Sequence, residues 1–187
     1  VNLFGKQFSK SKGWYVDADD AISKFGVDAL RYYLISLIPE NADTSFTWLG
    51  LDSKVNNELA NNIGNLVSRC LKFMQKNWPQ GIAAEQMLEF WQAPLAQSLK
   101  EDAASIHQLL DNYEFRAAMD KVMSMGQKAN LYFSDQAPWS QIKTDPIAAE
   151  KTIAQTVNCI LLISVFIEPF VPNLAEKLQN HFQCYFS

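Results

Sequence analysis

Residues 56–76 read NNELANNIGNLVSRCLKFMQK, and their periodicity decides the fold class. With Asn65 set at zero and about 100° of turn per residue, Glu58, Asn61, Asn62, Arg69, Lys72 and Lys76 fall within about 60° of it. Leu59, Ile63, Leu66, Val67, Cys70, Phe73 and Met74 fall on the other side, in an apolar arc. One face is therefore core. The opposite face is a strip of amides and cations that grades to lysine toward the helix C-terminus, where positive charge suits the helix dipole. The helical pattern runs from about residue 47 to 77 and ends at Trp78-Pro79-Gln80-Gly81, a cluster of helix breakers. A charged face is ordinarily a solvated face. Amides mixed with arginine can also read base edges and phosphate together, which lysine alone cannot do.

Working outward, Asp17 is an N-cap with Asp19 and Asp20 behind it, for a helix that stops near Phe25-Gly26. Asp28 opens a second helix, DALRYYLISLI, which ends before Pro39, and residues 40–46 read as a polar linker. Further helices are expected over 94–112, 114–136, 147–168 and 173–184, with Pro138, Pro146, Pro169 and Pro172 at the breaks. The expected fold class is all-α: an antiparallel helical bundle over 46–187 with a small α+β linking piece over 1–45. The 5–13 loop has little of its own to bury, so the N-terminal piece should be the least stable part.

Composition narrows the function. Hydrophobic residues make up 48% of the 187, enough for a packed core. A formal net charge of −4 argues against an indiscriminate nucleic-acid binder but leaves room for a local basic stripe. Cys70, Cys159 and Cys184 are far apart with no C-x-x-C pair, and His107 and His181 stand alone. No metal site or disulfide framework is expected, and a reducing cytoplasm fits. The apolar run 160–167 is interrupted by Ser164, stopped by Glu168-Pro169, and too short to span a bilayer. No membrane partner is expected. The absence of a start methionine reads as a piece cut from a longer protein.

Two other stretches carry candidate chemistry. In ANLYFSDQAPWSQIK (129–143), Pro138 disfavours helical geometry at Ala137, so the helix should end near Gln136 and leave Trp139 at a chain reversal. A tryptophan there ordinarily packs into the crevice between helices. Beside an asparagine–arginine strip, a presented indole becomes a stacking platform for an unpaired base, worth about 1–3 kcal/mol per base. In FSKSKG (8–13), a flexible Ser/Lys turn presents mobile ammonium groups, suited either to a phosphate ligand or to solvent.

FSKSKG resembles the K-M-S-K-S loop of class I aminoacyl-tRNA synthetases. It is followed in order by DADDAISKFGVDALRYYLISLIP, NNELANNIGNLVSRCLKF and ANLYFSDQAPW, an order that resembles the methionyl-tRNA synthetases. The resemblance covers most of the chain to about Trp139 and more loosely beyond. It implies the C-terminal part of such an enzyme: the loop, a small linking subdomain and a helical anticodon-binding domain. By position, Asn65 and Arg69 match the family's anticodon-reading pair, and Pro138 and Trp139 its stacking element. Lys72 and Lys76 would then neutralise backbone phosphate. The implied partners are methionine tRNA, read at its CAU anticodon, and an N-terminal catalytic domain. Lys10 matches the second lysine of the loop and would be the catalytic residue, with Ser9 and Ser11 beside the nucleotide. Gln7 and Phe8 stand where the family has lysine and methionine. ATP and Mg2+ are implied for the full enzyme and no cofactor for this fragment. No H-I-G-H-like segment or Rossmann half is present, so the chain alone is expected not to activate methionine. Two rival readings are a helical protein-interaction module without RNA binding and the equivalent region of another class I synthetase. DALRYYL and the later Ala-Pro-Trp argue against the second rival.

Overall fold

A computed structural model of the chain describes residues 1–39, 43–82, 90 and 93–183. Cys184, residues 40–42 of the expected linker and the expected helix end at 184 lie outside them. The N-terminal piece begins with strand β1 (Asn2–Leu3), paired in parallel with β2 (Ser45–Phe46). Between them lie helices α1 (Ala18–Phe25) and α2 (Val27–Ser36). Asp17 caps α1 by accepting from the Asp19 and Asp20 amides, and Gly26, at φ +83°, makes the bend between the two helices. Leu3, Ala21, Leu30, Tyr33, Phe46 and Leu51 form this piece's own small core.

The Ser/Lys stretch, expected to be a flexible turn, is a closed hairpin. Ser9 and Trp14 exchange backbone hydrogen bonds of 2.8 and 2.9 Å, a 3₁₀ turn spans Lys10–Lys12, and Gly13 at φ +64° closes it. The Trp14 indole donates to the Leu3 carbonyl at 3.1 Å. Backbone pairing supplies the order that side-chain burial does not.

The predicted long helix is continuous from α3 (Trp48–Lys54) through a segment of i→i+5 hydrogen bonding (Val55–Gly64) into α4 (Asn65–Asn77). Thr47 caps it by accepting from the Gly50 amide at 2.9 Å. Gly50 must stay bare, because a Cβ there would lie 2.2 Å from the Tyr33 hydroxyl. The wider ladder turns the chain through less per residue than an α-helix, so side chains upstream of Asn65 drift around the axis. This corrects the predicted strip at two places. Asn62 is only 9% exposed, and Glu58 turns to the N-terminal piece, bonded to the Tyr32 hydroxyl and paired with Lys54 at 2.6 Å.

The bundle continues with α5 (Pro94–Asp111), α6 (Phe115–Gln136), α7 (Pro138–Thr144), α8 (Pro146–Ile167) and α9 (Pro172–Gln183). Helix α7 falls in a stretch left unassigned by the sequence, started by Pro138 at its first turn. Helices α5 and α6 are antiparallel, joined by Asp102 to Lys121 at 3.5 Å and to Lys128 at 2.5 Å. The long helix and α6 instead run in the same direction, since Asn62 meets Met123 and Asn130 while Arg69 meets Ser134.

Helix α8 is the core helix, burying Ile153, Ala154, Val157, Ile160, Ile163 and Ile167. By length and composition all 22 of its residues would suffice to cross a bilayer, although the run 160–167 alone is too short. Its most apolar window is 61% buried within the fold. At its end the chain is tied back to α2: Arg31 donates to the carbonyls of Pro169 and Phe170, and Asp28 accepts from the Asn173 and Leu174 amides at the start of α9.

Gly126 of α6 packs against Asn62, and a Cβ on it would lie 2.7 Å from Asn62 Oδ1. Asn62 is held in place by its bond to the Met123 carbonyl at 2.8 Å and cannot step aside freely. Gly126→Ala should therefore lower unfolding stability by about 1–3 kcal/mol, as overpacking does. The readout is the urea midpoint by circular dichroism at unchanged slope. An unmoved midpoint would show that Asn62 has room to move.

Candidate nucleic-acid interface

The α6–α7 corner is made by Ala137, a non-glycine residue in the left-handed region at φ +46°, ψ +60°. That conformation is uncommon for a residue with a Cβ, and the Ala137 carbonyl accepts from the Ser140 and Gln141 amides at 2.8 and 3.1 Å. Pro138 is buried, so its part is to aim the first turn of α7 and not to offer a surface. Trp139, next in the chain, is 44% exposed. Its ring lies 5.9 Å from that of buried Phe133, tilted by 58°.

Arg69 reaches this pair from the long helix. Its guanidinium sits 4.8 Å from the Phe133 ring centroid and 5.6 Å from that of Trp139. Such contacts are electrostatically favourable. Both terminal nitrogens donate to Ser134 Oγ at 3.4 Å, long contacts that leave most of the guanidinium's donors uncommitted. The structure thus brings Arg69 and Trp139 together from segments 70 residues apart.

Asn65 is exposed one turn before Arg69, and both line a groove of about 460 Å³ with Asn57, Asn61, Asn62, Gln127 and Asn130. No carboxylate is among these seven residues. The exposed amides of Asn57, Asn61, Asn65 and Gln127 carry both donors and acceptors, and the one cation can contact phosphate or a base edge. Lys72 and Lys76 are exposed farther along the same helix and are not among the groove's lining residues.

Reading the sequence missed the α6 wall. Gln127, Asn130 and Ser134 recur at i, i+3 and i+7, a polar stripe that could have been found, but nothing local says which helix it faces. Phe133, the ring beneath Arg69, reads as ordinary core.

The Ser/Lys hairpin is a separate place. Lys6, Gln7, Phe8, Ser9, Lys12 and Trp14 line a cavity of about 440 Å³, with Lys6 Nζ 5.5 Å over the Trp14 ring. Ser9 Oγ and Ser11 Oγ are 3.3 Å apart, and Lys10 is exposed just outside that lining. Behind Arg69, Cys70 is buried in the core, its thiol pushed up by desolvation and by the neighbouring Cys159. Burial likewise pushes Cys159 up to about 12. Among the described residues no three of His, Cys, Asp and Glu gather as a metal site would need.

Two family models match the chain: class I tRNA synthetases (M) over residues 1–71, and the anticodon binding domain of methionyl tRNA ligase over residues 79–186. A methionine–tRNA ligase of Cereibacter sphaeroides is 34% identical over 98% of the chain, which covers 32% of that relative. One from Methanosphaera stadtmanae is 31% identical over 96% of the chain and 27% of the relative. Among solved structures, Mycobacterium tuberculosis methionyl-tRNA synthetase bound by methionyl-adenylate matches with a TM-score of 0.84 and 25% identity. That match covers 96% of this chain and 36% of the other. The chain spans about a third or less of the length of these curated relatives.

Burial gives the cysteines a definite behaviour. At pH 8 a thiol with a pKa near 12 is ionised to about one part in ten thousand. Iodoacetamide should therefore leave Cys70 and Cys159 unlabelled in the native chain and modify both in denaturant, as read by peptide mass. Rapid native labelling of Cys70 would contradict the packing behind Arg69.

Proposed function

The chain belongs to the family of methionyl tRNA ligase anticodon-binding domains, and we propose that it is the part of a cytoplasmic methionine–tRNA ligase that grips the anticodon of methionine tRNA. The observation that carries this reading is the meeting of Arg69 and half-exposed Trp139 at the end of a groove without carboxylates. An unstacked base can lie on the indole, the guanidinium edge and the Asn65 amide can hydrogen-bond base edges, and Lys72 and Lys76 can neutralise flanking phosphates. The triplet is CAU. Sequence is read by the fixed amides and the guanidinium, and affinity comes from stacking and charge.

In the assembled enzyme we assign the Ser/Lys hairpin to the ATP phosphates, with Lys10 compensating charge that shifts onto phosphate oxygens during methionine activation and Ser9 and Ser11 beside it. Gln7 removes one cation from the usual loop, and Lys6 or Lys12, both lining the cavity, is placed to supply it. Residues 5–13 carry ammonium and hydroxyl groups and no carboxylate, so they suit phosphate and do not fit as a Mg2+ ligand set. The remaining catalytic groups belong to a partner catalytic domain.

Trp139→Ala should weaken binding of a CAU anticodon stem-loop by about 1–3 kcal/mol while leaving helicity intact. Lys72→Ala and Lys76→Ala should each weaken all stem-loops alike and flatten the log Kd–log salt slope by about 0.7. Fluorescence anisotropy at two salt concentrations reads both effects. Wild-type affinity in the Trp139 variant would sink the stacking role.

A further inference from the structure

The long helix changes its hydrogen-bonding pattern at the residue that opens the reading face. Asn65 N–H still donates to the carbonyl of Ala60, five residues back, and beyond it the ladder is ordinary α-helix. Such wide segments are rare and recur at functional sites. Here the segment fixes how far around the axis Asn65 and Arg69 point. A change of one residue in the ladder would rotate both by about 100° relative to α6. Arg69 would then leave Phe133 and Trp139.

One side chain on the facing helix holds this segment. Asn130 Nδ2 donates to the Asn62 carbonyl at 3.0 Å, to Asn62 Oδ1 at 3.1 Å and to the Gly126 carbonyl at 3.0 Å. Asn62 Nδ2 in turn donates to the Met123 carbonyl. The other end of the Asn130 amide, Oδ1, is buried without a partner. Flipping the amide would set that oxygen against three acceptors, so its orientation is dictated by what surrounds it. The amide is held here through its donors, with three oxygens of Asn62 and Gly126 around its nitrogen. Asn130 also lines the groove with Asn65 and Arg69.

We propose that Asn130 is a positioning residue for anticodon readout, locking the wide helical segment so that Asn65 and Arg69 face the Trp139 corner. The inference rests on the RNA-binding reading above. It predicts a loss of discrimination and not merely of stability or affinity.

The test titrates this chain with CAU stem-loops and with UAU stem-loops, which differ at the first anticodon base, and compares the Kd ratio across variants. Asn130→Leu, close in size but without donors, should reduce the CAU preference about tenfold, part of what a base-reading pair contributes. Asp102→Ala, which removes both α5–α6 ion pairs away from the groove, should lower stability and keep the ratio. Should Asn130→Leu fail to fold, Asn130→Gln moves the same amide by one methylene and should lose the preference alike. A folded Asn130 variant with the wild-type ratio, or with both stem-loops weakened equally, overturns the positioning role. A wild-type chain with no CAU preference overturns instead the reading on which it rests.

Discussion

The arrangement depends on a buried amide clamp between two helices that run side by side in one direction. Apolar packing is non-directional and would let the long helix slide or rotate against α6 at modest cost. Asn62 removes that freedom, because a buried amide must find partners and its partners are fixed: the carbonyl of Met123 and the amide of Asn130. Gly126 provides the close approach that the clamp requires. Once Asn62 is seated, Arg69, two turns on, has to emerge over Phe133 and Ser134, and the corner at Ala137 brings Trp139 to the same spot. Polar specificity in the core thus sets the geometry of a surface.

The long helix also belongs to both cores. Leu51 packs in the N-terminal piece, and Leu59, Ile63, Leu66, Cys70 and Met74 pack in the bundle. The 30 residues from Trp48 to Asn77 make a rod on the order of 40 Å long. Glu58 bonds Tyr32 near one end, and burial with that carboxylate holds the Tyr32 hydroxyl well above the usual phenol range. Asp28 and Arg31 add a second tie by capping the start of α9 and holding the preceding corner. On the proposed reading, the phosphate-facing hairpin and the base-facing groove are therefore parts of one scaffold.

How much of this was legible follows from what each signal measures. Asp17, Pro138, Pro146 and the Trp78–Gly81 breakers act on their own backbone, so helix starts and stops fall within a residue or two of expectation. The β1–β2 pair was not visible, since two-residue strands have no periodicity to detect. Asn62 was misplaced because a helical wheel assumes one pitch, and the segment over Val55–Gly64 has another. Trp139 could be nominated from Pro138, but its neighbour Phe133 and the amides of α6 become part of the site only through contacts between distant segments. Order in the Ser/Lys hairpin escaped notice for a similar reason: it comes from the Ser9–Trp14 backbone pairing, and side-chain patterns do not report that.

A proposed RNA-facing groove on an acidic chain looks contradictory until the carboxylates are located. Asp17 caps α1, Asp145 caps α8 and Asp28 caps α9, each satisfying amides that a helix end leaves unpaired. Asp102 is enclosed between Lys121 and Lys128. Glu58 and Asp120 line a pocket at the upstream end of the seam between the long helix and α6, and Arg69 stands at the downstream end. Exposed charges more than about 8–10 Å apart are largely screened at physiological salt. The net charge therefore says little about the potential a nucleotide meets in the groove. Along the seam Glu58 and Asp120 lie toward the N-terminal piece, and Arg69 meets the indole of Trp139 at the other end.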